Sequence, residues 1–211
     1  SFTTVLTPAA LAYDGVSRRY IIADRRARRV AIIDAHTGQV STLVGAAGGL
    51  GDICGMAIDP ARGDLWLVST GDDDAPALHQ VQLISGRVLS SVPLKHTQDP
   101  VALAFVRGAV LVLADTTGTI YRVDANGASK KLGALEYVPE ALGSDTRGRL
   151  YISGGASRIG RYTVAGRLRR VDTIELAEEI PPAVPFVVMP DRLEFVVPAG
   201  GSFELRSVPM K

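Results

Sequence analysis

A unit of roughly forty residues recurs along the chain, and this recurrence constrains the fold more tightly than anything else in the sequence. Each unit holds an apolar segment, a turn, a second and more strongly apolar segment, a loop, a third segment, a glycine turn and a fourth segment. The second segments are Tyr20–Asp24, Leu65–Val68, Val110–Ala114, Leu150–Ser153 and Leu193–Val197. They are short, β-branched or aromatic, and apolar at successive positions, as strands covered on both faces are. The turns ahead of them are Asp14-Gly15, Asp59-Pro60-Ala61-Arg62-Gly63, Val106-Arg107-Gly108, Asp145-Thr146-Arg147-Gly148 and Met189-Pro190-Asp191, residues that close hairpins. The later turns place Gly38, Gly86, Gly127 and Gly166 where a hairpin demands positive φ. A drifting period near forty is that of a four-stranded propeller blade; helical repeats would carry a 3.6-residue period instead.

The expected fold is therefore all-β: a β-propeller of four-stranded antiparallel blades, forming one domain over residues 1–211. The blades fall at about 10–45, 55–94, 102–135, 141–176 and 185–211. The fifth unit ends before a fourth strand, while Phe2–Leu6 is strand-like and belongs to no unit. Pairing of that N-terminal strand with the last blade, using residues 1–7, would close a five-bladed ring and remove two open edges. The alternative is an incomplete six-bladed propeller whose first blade lies upstream.

Ala10–Asp14, Gly55–Pro60, Asp145–Ile152 and Val30–Gly38 resemble propellers of the NHL, TolB and SMP-30 (gluconolactonase-like) group. The resemblance covers essentially the whole chain and describes hairpins rather than a site. It implies a propeller fold, with six blades usual in the group, and a periplasmic or extracellular location. Lactonase and organophosphatase branches of that group hold a divalent metal on acidic and Asn side chains around the central channel. That constellation has no residue-by-residue match here. The WD40 pattern is absent, since Trp66 is the sole tryptophan.

In a propeller, the loops joining strand two to three and blade to blade emerge together at the channel mouth, where function is expected. Arg25, Arg26, Arg28 and Arg29 occupy such a loop, and guanidinium groups suit phosphate, carboxylate or an acidic protein surface. Asp72, Asp73 and Asp74 lie in the loop Gly71–Pro76, which suits calcium or a basic partner but lacks calcium-loop spacing. Aligning the inner strands on Ala10, Gly55, Ala102 and Ala141 sets Asp52, Asp99 and Glu140 just ahead of three of them. These three carboxylates form a candidate divalent-cation site, for calcium or zinc. His96, close to Asp99, is a candidate ligand or general base, and His79 is a second histidine on this side. Each has a plain structural alternative: carboxylates cap turns, and charged loops keep a surface solvated.

Composition narrows the partners. A formal net charge of +1 gives no electrostatic case for nucleic acid or an anionic membrane. No apolar run is long enough to insert in a bilayer. The single cysteine, Cys54, excludes an internal disulfide framework and reads as a buried inert thiol. No nucleophile elbow, zinc-binding helix motif, phosphate loop or dinucleotide fingerprint is present. Three functions stay open: a module binding a protein, peptide or glycan at the loop face, a metal-dependent lactonase or related hydrolase, and a structural domain of a larger envelope protein.

Overall fold

Aspartates set most of the tight turns. The carboxylate of Asp14 accepts hydrogen bonds from the N–H groups of Val16 and Ser17, Asp59 from Ala61 and Arg62, and Asp145 from Arg147 and Arg149. In the second hairpins, Asp34 takes His36 and Thr37 while Asp124 takes Asn126 and Ala128. A carboxylate that satisfies two amides of its own turn fixes that turn locally. Gly38, Gly86, Gly127 and Gly166 follow with φ of 72°, 71°, 78° and 73°. At Gly86 a Cβ would also stand 2.0 Å from the carbonyl oxygen of Leu43 in the preceding blade. Close blade packing therefore demands glycine there as well as backbone conformation.

The computed structural model describes residues 7–211 except 74, 98, 109, 155–157, 179, 182, 200 and 201. Blade 1 is β1 (Pro8–Asp14), β2 (Arg19–Asp24), β3 (Arg29–Asp34) and β4 (Val40–Val44); a 3-10 turn, Ala46–Gly48, leads on. Blade 2 is β5 (Asp52–Asp59), β6 (Asp64–Thr70), β7 (Pro76–Gln82) and β8 (Val88–Pro93). Blade 3 is β9 (Pro100–Val106), β10 (Val110–Asp115), β11 (Thr119–Val123) and β12 (Ser129–Ala134). Blade 4 is β13 (Ala141–Ser144), β14 (Leu150–Ser153), β15 (Ile159–Thr163) and β16 (Arg169–Ile174). Blade 5 is β17 (Phe186–Val188), β18 (Arg192–Ala199) and β19 (Ser202–Pro209). Every sheet is antiparallel and in chain order. Among the described residues no helix is long and apolar enough to cross a membrane.

Successive residues of the second strands bury on opposite sides, which explains why these segments read as continuously apolar. In β2, Ile21 packs toward blade 2 with Met56, Leu65 and Leu67, while Ile22 packs toward blade 5 with Val196. Full burial of each such side chain is worth about 1.5–3 kcal/mol. Five apolar cores result, one in each seam: blades 1 and 2, 2 and 3, 3 and 4, 4 and 5, and 5 and 1.

The inner strands β1, β5, β9, β13 and β17 each contact the next, and β17 contacts β1. The molecule is thus a five-bladed β-propeller, and the six-bladed alternative is set aside because the inner ring already closes. The expected closing strand Phe2–Leu6 lies outside the described residues, and blade 5 is described with three strands. A polar contact spans the same seam. The Tyr20 hydroxyl in β2 donates to the Glu194 carboxylate in β18, which also accepts from Arg192 Nε at 2.9 Å.

Small residues let the ring close so tightly. Ala10, Gly55, Ala102, Ala141 and Pro185 line the axis with their neighbours, around a cavity of about 10 Å³. That is at the threshold for holding one water molecule. A Cβ on Gly55 would lie 2.6 Å from the Leu103 nitrogen, so glycine is what admits β9 to this distance.

Candidate functional site

The arginine loop between β2 and β3 is anchored from below. Asp24, fully buried, accepts hydrogen bonds from the Thr7 N–H at 3.1 Å and the Thr7 hydroxyl at 2.9 Å. Thr7 in turn receives the amides of Arg25 and Arg26, each at 2.9 Å. Arg28 then turns through the left-handed region, φ 51°. Its guanidinium points across the seam to blade 2, where Nε donates to Asp52 at 2.9 Å and Nη2 to Asp72 at 2.5 Å. The basic and acidic loops are thereby tied together through one side chain. The two carboxylates raise the Arg28 pKa, Asp72 contributing most, and Arg28 holds the Asp72 carboxyl below its usual range. The pair with Asp72 is exposed, so its effect is to orient the loops more than to stabilise the fold.

The other arginines divide into two roles. Arg29 sits 3.8 Å from Asp24 and donates to the Thr42 hydroxyl at 3.4 Å, supporting the loop from the side. Arg25 and Arg26 are exposed at its tip. In the acidic loop, Asp73 accepts the Ala75 amide at 3.2 Å and shapes its own turn. Asp74 lies outside the described residues.

Asp52, Asp99 and Glu140 sit at the starts of or just before three inner strands, as the alignment places them, yet they are engaged separately. Asp52 is held by Arg28. Glu140 accepts the Ala183 amide at 2.8 Å and pins the long connection into blade 5. Asp99 is exposed, and its backbone carbonyl accepts the Thr116 amide at 3.0 Å. Among the described residues no three His, Cys, Asp or Glu side chains gather as a group able to hold a metal ion.

The two histidines have different surroundings. His96 is exposed, with φ 65°, at the connection from β8 to β9. His79 is only 3% exposed and lies within β7, one strand in from the blade's outer edge. Its Nε2 and Nδ1 are each 2.7 Å from a hydroxyl, of Ser69 and Ser91, and Ser69 also accepts the Gly51 amide. Burial pushes the His79 pKa down, favouring the neutral ring. The strand runs Pro76–Gln82, so His79 lies inside the sheet and not on the loop face expected of it. Cys54 is buried, its thiol directed to the Asp52 carbonyl at 3.5 Å, and desolvation raises its pKa.

Some polar groups carry no local signature. Asp115 takes the amides of Thr117 and Thr119 and shapes the blade 3 loop on this face. Glu194 is different: a lone charge inside the apolar stretch Leu193–Val197 is itself a hint of a buried partner.

No protein-family model and no curated protein matches the sequence. Solved structures do resemble it. The PQQ-bound aldose sugar dehydrogenase of Streptomyces coelicolor aligns with 100% of this chain and 96% of its own, at 12% identity and TM-score 0.69. A chain of the nidogen–laminin complex aligns over 89% of this chain and 71% of its own, at 17% identity and TM-score 0.65. A proposed glucose dehydrogenase from Thermus thermophilus covers 100% and 98%, at 13% identity and TM-score 0.62. At these identities the likeness defines the scaffold, a β-propeller, and leaves activity to the side chains.

Proposed function

We propose that the protein is a binding module that captures a partner protein on its loop face, at the ridge where blades 1 and 2 meet. The observation that carries this reading is the Arg28 bridge to Asp52 and Asp72. It holds a basic tip, Arg25 and Arg26, and an acidic loop, Asp72 and Asp73, in one fixed arrangement across two blades. Preset charges of both signs match a protein surface, which offers both signs in return, better than they match a peptide or glycan of one polarity. The space lined by the inner strands at Ala10, Gly55, Ala102 and Ala141 has room for about one water, too little for a ligand there. The same scaffold in a chain of the nidogen–laminin complex is compatible with this use.

The test is photo-crosslinking in an extract of the source organism, with p-benzoylphenylalanine replacing Arg26 or Asp73, and Lys130 on the outer strand β12 as control. A discrete adduct is expected from 26 and 73 and not from 130. Excess unlabelled protein should compete it away, and an Arg25→Glu/Arg26→Glu variant should not. Equal labelling from position 130, or no adduct from the ridge, would overturn the proposal.

A further inference from the structure

Inner strands of a propeller run in one direction, so the turns between first and second strands all emerge on the face opposite the loop face. Four of these turns carry an exposed arginine: Arg18, Arg62, Arg107 and Arg147. The aspartates beside them form no ion pair with them. Asp14, Asp59 and Asp145 direct their carboxylates into the amides of their own turns, and Asp14 and Asp145 also pair with Arg19 and Arg149. Among the described residues no ion pair involves the four exposed arginines. Arg107 is fixed by donating to the Thr146 carbonyl at 3.0 Å, which lays it over the next blade's turn. The most exposed large aliphatic side chains, Val16 at 90% and Ile84 at 86%, stand on this same face.

We infer that this second face, independent of the loop ridge, docks an acidic surface of a partner protein that carries apolar side chains among its carboxylates. Asp14 and Asp59 are buried beneath their own turn amides, Asp34, Asp124 and Asp145 accept the amides of theirs, and Asp191 pairs with Arg192, so the four arginines are left to pair with a partner's carboxylates. Guanidinium groups pair carboxylates bidentately, and arginine is enriched at protein interfaces, whose buried core is apolar. Nucleic acid fits less well: the net charge of +1 supplies little long-range field. Among the described residues no aromatic side chain is one of the exposed large apolar ones that bases would stack on. Val16 and Ile84 have no counterpart on a sulfated glycan.

A fluorescein-labelled peptide of alternating Glu, Asp and Leu provides the probe, read by anisotropy at low ionic strength. Arg62→Glu/Arg147→Glu reverses the face at two exposed turn positions, and Arg25→Glu/Arg26→Glu serves as the loop-face control. The first pair should weaken binding roughly tenfold or more and the second less than about twofold, with affinity falling as salt rises. Should the reversed variant melt early, Arg62→Ser/Arg147→Ser gives the same contrast with a smaller loss. Absence of peptide binding, equal losses from both faces, or tighter binding of a single-stranded oligonucleotide or sulfated oligosaccharide would overturn the inference. So would salt-dependent self-association, measured by sedimentation and abolished by Arg62→Glu/Arg147→Glu.

Discussion

The contact between Tyr20 and Glu194 joins the first blade to the last, and removing it measures how firmly the ring is held there. Glu194 is 5% exposed and receives Tyr20, Arg192 and, at 3.5 Å, the Ser207 hydroxyl. Tyr20→Phe removes one donor from a buried carboxylate, and a hydrogen bond to a charged group is worth about 1.5–3 kcal/mol. Tyr20 is itself only partly buried, so the lower end, about 1.5–2 kcal/mol, is expected. For a chain of this size that corresponds to a fall in Tm of roughly 3–8 °C. In a double-mutant cycle with Glu194→Ala, the coupling should come to about 1–2 kcal/mol. Urea unfolding of the four proteins supplies the assay. A Tyr20→Phe effect within about 0.5 kcal/mol of wild type, or strictly additive losses, would refute the reasoning. The alkaline limb gives an internal check. Burial, and after it Glu194, hold the Tyr20 phenol above its ordinary 10.0. Its contribution is therefore complete below about pH 10 and is lost as pH rises through the folded value, and Tyr20→Phe should flatten that limb.

Two further outcomes follow from side chains inside the blades. His79 is held neutral in the fold, its pKa depressed below 6.5, so its contribution is complete above that value and declines as pH falls toward the folded one. Urea midpoints between about pH 7 and 5 should drop less steeply in His79→Gln than in wild type, and an unchanged slope would contradict this. Because Asp52 and Glu140 are already engaged separately, calcium, zinc or magnesium added after EDTA should move the melting temperature by less than about 1 °C. A shift of several degrees that Asp99→Ala removes would instead establish the cation site.

The architecture was legible because its causes are local. Gly38, Gly86, Gly127 and Gly166 mark turns whose φ only glycine adopts readily, and Asp14, Asp59 and Asp145 cap turns within four residues of themselves. The doubly apolar segments, such as Ile21 with Ile22, announce strands sandwiched between neighbours. The alignment of Ala10, Gly55, Ala102 and Ala141 recovers residues that line the axis. The site was less legible because its contacts cross blades. That Arg28 reaches Asp52 and Asp72, 24 and 44 residues away, depends on how two sheets abut. Taken as two separate candidates, the arginine loop and the acidic loop gave no sign that one side chain joins them. The arginines of the opposite turns were visible one by one, and only the propeller topology collects them onto one face.

Native-state hydrogen exchange along the chain tests the closed five-bladed ring most directly. If blade 5 seals against blade 1, the paired amides of β2 and β18, including Ile22 and Val196, should exchange in one slow class with those of β6 and β10. Rapid, independent exchange of blade 1 or blade 5 while the central blades stay protected would contradict the ring.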